Sequence, residues 1–166
     1  MITVDTCMMA GLGGVRIQGW IEIIHTVGGG VRDVCGESLD IITNTGVACI
    51  VRLVFTGLAE DRFGFIAIGT GTTVETAGDT GLELEVKRKP ATASQTTTYI
   101  EGDTALLEAV FSSADGLSGS HDISEAGVFN ASTRGDMLAR KTFTPITVNW
   151  DRGDTLTVRY YVNISR

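Results

Sequence analysis

The chain has 166 residues, a net charge of −7 and a pI near 4.7, with 43% hydrophobic and 20% charged residues. This is the composition of a globular domain, and its acidity argues against a nucleic-acid binder, whose domains are usually basic with clustered Lys and Arg. The only basic cluster, Lys87-Arg88-Lys89, is too short for such a footprint, and no apolar run reaches the length of about 18 residues that suggests a membrane span.

Gly accounts for 21 residues and Thr for 22. Thr favours pleated, half-buried surfaces and Gly punctuates turns, so the pairing predicts many short strands. Cys7, Cys35 and Cys49 are odd in number and form no CxxC, so reduced thiols are expected rather than a disulfide framework or a zinc site. Reduced thiols fit assembly in a reducing cytoplasm, and the start of the chain lacks the charged and apolar regions of a secretion signal.

In chain order, Met1–Gly14 reads as an N-terminal arm carrying Met8, Met9 and Leu12, and residues 15–166 as one domain. Residues 15–27 alternate, with Val15, Ile17, Gly19, Ile21 and Ile23 on one face, which is the signature of a strand. Gly28-Gly29-Gly30 then marks a turn, and 31–35 can pair back as a hairpin. Between Val47 and Leu58 the period changes: Val47, Ile50, Val51, Val54, Phe55 and Leu58 form one apolar stripe at helical spacing. A single helix is expected near 45–57, capped by Asn44 or Thr45, ended by Gly57, and packed over one face or edge of the sheets.

Strands are expected again at Phe63–Ile68, Leu82–Val86, Gln95–Glu101, Thr104–Phe111, Asp122–Asn130, Met137–Phe143 and Asp154–Ile164. Turn signals about every ten residues predict a mainly β fold, an antiparallel β-sandwich of jelly-roll-like type.

The sequence offers little for catalysis. Gly69-Thr70-Gly71-Thr72-Thr73 suggests a phosphate cradle, but Val74 stands where the dinucleotide fingerprint needs its third glycine, and no P-loop lysine follows. His121 and Asp122 are adjacent and point to opposite faces of a strand. Glu83 and Glu85 share a face, as two-carboxylate hydrolysis would need, yet solvent-facing Glu is ordinary on an alternating strand. Arg-Gly-Asp occurs at Arg134–Asp136 and Arg152–Asp154, both at expected turns. No zinc or EF-hand spacing is present, and neither cofactor nor metal is expected.

The stretch "FIAIGTGTTVETAGDTGLELEVKRK" and the later "ISEAGVFNASTRGDMLARKTFTPITVNWDRGDTLTVRYYVNIS" resemble small virion structural proteins of tailed double-stranded DNA phages. The pieces that carry the likeness are the Gly-Thr-Gly-Thr-Thr turn, Leu82–Arg88, Glu125–Asn130, Met137–Arg140 and Gly153–Val158, and it covers roughly residues 41 to 166. The resemblance implies a non-enzymatic capsid decoration (cement) protein on the outside of the head. The implied partner is the major capsid protein, and the implied assembly is a homotrimer. It leaves open a fibre, collar or baseplate component bound to tail proteins.

Met8, Met9, Leu12 and Trp20 are the interface candidates. A third reading, a sandwich that recognises a host glycan, needs exposed aromatics, for which Trp20, Trp150, Tyr99 and Tyr161 are available but scattered in sequence.

Overall fold

The computed structural model describes residues 14–56 and 61–166, with backbone alone over 33–38. Met8, Met9, Leu12 and Cys7 therefore lie outside the described residues, as do Gly57 and Leu58, while the side chain of Cys35 is not described. The chain is mainly β: two antiparallel five-stranded sheets enclose the core, as expected of a sandwich.

The first sheet has the order β2-β1-β10-β7-β6, and the second β3-β9-β8-β4-β5. In the first, β1 is Arg16–Val27, β2 Gly30–Leu39, β6 Thr92–Thr96, β7 Thr104–Phe111 and β10 Thr155–Ser165. In the second, β3 is Ile41–Ile42, β4 Phe65–Gly69, β5 Glu85–Pro90, β8 Ser120–Phe129 and β9 Met137–Asn149.

The period-2 patterns explain the inner faces. Ile21, Ile23, Leu107, Phe111, Leu156, Val158 and Tyr160 point inward from the first sheet, against Ile66, Ile68, Ile123, Val128 and Val148 from the second and Trp150 from the turn after β9. Gly28 and Gly29 have φ of 58° and 83° and join β1 to β2. Positive φ at both central residues is what a tight, right-twisting hairpin demands and what glycine adopts at no steric cost.

Several strand boundaries differ from the sequence expectation: β2 runs on to Leu39, β3 is an added strand, β6 begins at Thr92 rather than Gln95, and three further differences have a local reason. β5 starts at Glu85 rather than Leu82, because the segment before it is held by side chains instead of a ladder. β6 ends at Thr96 rather than reaching Glu101, because the Asp103 carboxylate accepts the N–H groups of Thr98, Tyr99 and Ile100 and turns the chain. β9 continues past Phe143 to Asn149, with Pro145 in the register shift between the Ile123–Ile146 and Glu125–Thr142 pairs. A proline lacks the N–H that a regular ladder needs, and an irregularity accommodates it.

The helix α1, Asn44–Val51, continues as a π-helical turn over Arg52–Thr56. Its cap is Thr43, not Asn44 or Thr45: the Thr43 hydroxyl accepts the Gly46 N–H at 2.9 Å and also bonds the Met137 carbonyl. The larger departure is its orientation. Of the predicted apolar stripe, Ile50 packs against the core, but Val47, Val51, Val54 and Phe55 do not. The buried positions are Gly46 and Cys49, whereas Val47 and Val51 are each 45% exposed, Val54 64% and Phe55 78%. The cause is close approach: a Cβ on Gly46 would lie 2.7 Å from the Cα and carbonyl oxygen of Leu138 in β9. The helix lies on its small-residue side, and the stripe turns outward.

Candidate functional site

The Gly69–Thr73 loop does cradle an anion, but the anion is the chain's own. Glu125 on β8 is fully buried. Its carboxylate accepts the N–H of Gly71 at 3.0 Å, Glu83 at 3.0 Å, Leu84 at 2.8 Å and the Nε–H of Arg140 at 3.0 Å. Glu83 in turn accepts the N–H groups of Thr72 and Thr73 at 2.9 and 2.8 Å. Two carboxylates thus order this loop through its backbone N–H groups. Gly69 and Gly71 are required because a Cβ at either would come within 2.5 Å of Glu125 Oε1.

Arg140, on β9, closes the network. Its side chain is 4% exposed, with Nη1 at 2.7 Å from Asp79 and Nη2 at 2.9 Å from Glu125, the latter off hydrogen-bond angle. Burial would raise the Asp79 pKa, but hydrogen bonds from Arg140 and Thr76 outweigh it and hold the carboxyl below its ordinary value. Burial likewise opposes the charge of Arg140, and its bonds to Asp79 and Glu125 raise its pKa regardless. Glu75 behaves similarly: burial would raise it, yet Lys141 Nζ at 2.6 Å and the Thr142 hydroxyl bring it down to about 2. A buried charge is tolerated when paired and hydrogen-bonded. The segment from Gly69 to Leu84 is thus fastened to β8 and β9 by groups already committed to one another.

The other chemical candidates are also engaged. Glu85 pairs with Arg88 at 2.6 Å, so it does not join Glu83 as a two-carboxylate pair. His25 is buried with Nε2 at 3.2 Å from Asp154. His121 Nδ1 accepts the indole N–H of Trp150 at 3.0 Å. Of the two Arg-Gly-Asp copies, Asp154 is fully buried and bound by Arg152, and Asp136 is paired with Arg52. Among the described residues no group of three or more His, Cys, Asp or Glu could hold a metal, and no helix is long and apolar enough to cross a membrane.

What remains is surface. At one end of the sandwich an apolar groove of about 390 Å³ is lined by Ile17, Ile50, Phe63, Leu107, Leu138 and Val162. Ile50 belongs to α1, so the groove and the outward stripe of Val47, Val51, Val54 and Phe55 lie on the same element. Of the predicted interface residues, Trp20 is half-buried on the outer face of β1, where it stacks on Tyr161 with ring centroids 5.2 Å apart and 4° between planes.

The stripe was legible in the sequence, but its direction was not. The available signal was the small pair Gly46 and Cys49 three residues apart, which is what a helix needs to approach a strand closely. Glu125 and Arg140 stand in the sequence only as the first and last residues of the Glu125–Asn130 and Met137–Arg140 stretches, with nothing to pair them. A charge set among small and apolar residues in a strand, as in Glu125-Ala126-Gly127 and Leu138-Ala139-Arg140, signals a buried ion with a partner elsewhere.

No protein-family model matches the chain, and neither does any curated protein or solved structure.

Proposed function

We propose that this chain is a non-enzymatic virion structural protein, a capsid decoration protein that binds the outside of a phage head and stabilises it. The observation that carries the reading is the outward apolar stripe of the helix, Val47, Val51, Val54 and Phe55, beside an apolar groove. Contiguous exposed apolar surface on a soluble chain marks an interaction site. The engaged state of the buried carboxylates and histidines also favours binding over chemistry, since a catalytic group needs access to a substrate proton. The sequence resemblance supplies the class of partner, and tailed-phage shells offer many copies of one site. Weak apolar contacts repeated over such a lattice add up through multivalency. A trimer of this chain astride neighbouring major capsid subunits would use the surface in that way.

The test is to mix purified protein with undecorated heads and image them. Full-length protein is expected to coat the heads and raise their melting temperature, because a ligand of the assembled shell stabilises it by linkage. Phe55→Asp, on a side chain already exposed, should remain folded and leave heads bare. Labelling of tails with bare heads would replace the head reading with the tail component. Undiminished coating by Phe55→Asp would remove the helix from the interface.

A further inference from the structure

We propose that the outer face of the first sheet carries a glycan-binding slot, in which a pyranose ring packs between Trp20 and Tyr99. The proposal is independent of docking to a shell. The aromatics scattered through the sequence are gathered by the fold. The register places Leu39, Trp20, Tyr161 and Leu106 side by side on β2, β1, β10 and β7. Trp20 and Tyr161 stack in parallel, so Tyr161 backs one face of the indole. Trp150, the fourth candidate, is buried and takes no part.

Tyr99 reaches this row from the loop 97–103, which folds over the face at its Gln18–Asn163 end. Asn163 points outward like Tyr161 but is buried there, with Nδ2 donating to the Thr104 hydroxyl at 2.9 Å. The Ile164 N–H bonds the Asp103 carbonyl at 3.0 Å. The Asp103 carboxylate caps the N–H groups of Thr98, Tyr99 and Ile100 at 2.8, 2.9 and 2.9 Å. Burial would raise the pKa of Asp103, but these bonds hold it far below its usual range, so the cap persists at any physiological pH. The loop is therefore fixed while the Tyr99 ring it presents is 74% exposed. A rigid loop that displays a large aromatic to solvent has already lost the entropy that binding would otherwise cost.

Gln18, Trp20, Leu39, Thr98 and Tyr99 line a slot of about 330 Å³. That is the low end of the range of about 300–1,000 Å³ for small-ligand sites. Its lining sets aromatic faces beside the Gln18 amide, which matches a pyranose: C–H groups on the ring faces, hydroxyls around the rim. The Thr98 hydroxyl is bonded to that of Thr104 at 2.7 Å, so Gln18 is the polar group that a flat apolar partner would leave facing carbon. A second cleft of about 460 Å³ shares Gln18 and Tyr99 and is lined also by Arg16 and Arg166. A ligand longer than one ring would continue there, and the two guanidinium groups favour an acidic sugar, since Arg binds carboxylate bidentately.

The chain has two tryptophans, and the buried one is a constant background, so indole fluorescence reports on Trp20. The experiment screens the full chain on an array of neutral and uronic- or sialic-acid-terminated oligosaccharides, then titrates the best binder against Trp fluorescence. Expected is saturable binding, tighter for the acid-terminated members, with a shift in emission that Trp20→Phe diminishes. Tyr99→Ala should weaken binding about twofold to tenfold, the worth of one aromatic stacking contact, and Tyr99→Phe should retain it. Tyr99 is exposed and its loop is held through backbone N–H groups, so the variant keeps its fold, which its unfolding midpoint checks. A silent array overturns the proposal, as does binding unchanged by Tyr99→Ala. Tyr99→Ala that alters self-association or head coating without any glycan signal would assign the face to a protein partner and overturn it equally.

Discussion

Asp40 should make this protein lose stability as pH rises from about 4 toward neutrality. It stands between β2 and β3, where the chain passes from one sheet to the other, and its carboxylate occupies the space that a side chain at Gly19 would fill. Both carboxylate oxygens are shut off from solvent, and the residue's own N–H, which helps to hold the charge, is given to the Gly19 carbonyl at 3.1 Å. Lys141 is near enough to help, but its ammonium is bonded to Glu75. Burial therefore dominates and raises the Asp40 pKa from 3.8 to about 7. A carboxyl whose folded pKa exceeds its unfolded one binds its proton more tightly when folded. Its stabilising share is complete below pH 3.8 and is lost as pH rises through about 7. At about 1.4 kcal/mol per unit, a shift of roughly three units corresponds to a loss on the order of 4 kcal/mol. Asp40→Asn keeps the shape and removes the titration. Its amide replaces a carboxyl that is buried in the same way, so the burial cost largely cancels, and between pH 5 and pH 8 the parent should lose roughly 2–3 kcal/mol relative to the variant, the worth of the two units from pH 5 to about 7. The assay is urea unfolding followed by tryptophan fluorescence at several pH values between 5 and 8. Curves for parent and variant that run parallel over that window would refute the argument.

On the acid side the sign reverses for Glu75: its share is present above pH 4.5 and lost as pH falls through about 2, so Glu75→Gln should flatten the acid limb of the same titration. Glu125→Ala leaves Arg140 buried beside a cavity with half its partners gone, and the unfolding free energy should fall by about 3–5 kcal/mol. Limited proteolysis of that variant should cut first between Gly69 and Leu84, which lose three of their N–H acceptors. Gly46→Ala drives a Cβ into the Leu138 backbone, so despite alanine's better helix propensity it should destabilise by about 1–3 kcal/mol in the same urea assay. Alkylation without reductant should label three thiols in denatured protein, with Cys49, which is buried, labelled only after unfolding.

The strands were readable because each buries one face, and a single buried face imposes a period of two that survives in composition. β1 and β10 show this most plainly: alternate residues from Gly19 to His25 and from Leu156 to Tyr160 are buried. β8 differs, since from Ile123 to Phe129 every residue is buried, Ser124 and Glu125 included. Leu82 and the Arg88 guanidinium, 3.4 Å above the Phe129 ring, cover its second face. Boundaries failed where a side chain replaced the ladder as the backbone's partner. Asp103 ended β6 early and Glu125 delayed β5, and neither effect has a periodicity. The buried Glu125–Arg140 pair was out of reach because its members belong to different strands and meet only through the register that sets Gly127 opposite Arg140.

The helix shows where pattern reading has a deeper limit. A stripe at spacing three and four says that one face of a helix belongs away from water, not what will cover it. Within the chain, the position beside β9 accepts only a thin face, because the Gly46 backbone sits against Leu138. Val47, Val51, Val54 and Phe55 are wider than that gap, and turning them inward would push α1 off the strand and break the bond from Thr43 to Met137 that starts it. Sterics therefore outrank burial locally, and four apolar side chains are left in solvent. Fully burying such side chains gains about 1.5–3 kcal/mol each, so exposing them forgoes a large share of what a small domain has to spare. A sequence that retained polar residues there would fold as well and dissolve better. The pattern makes physical sense if the missing cover comes from a neighbouring subunit, which is the ground on which the docking assignment of this face stands.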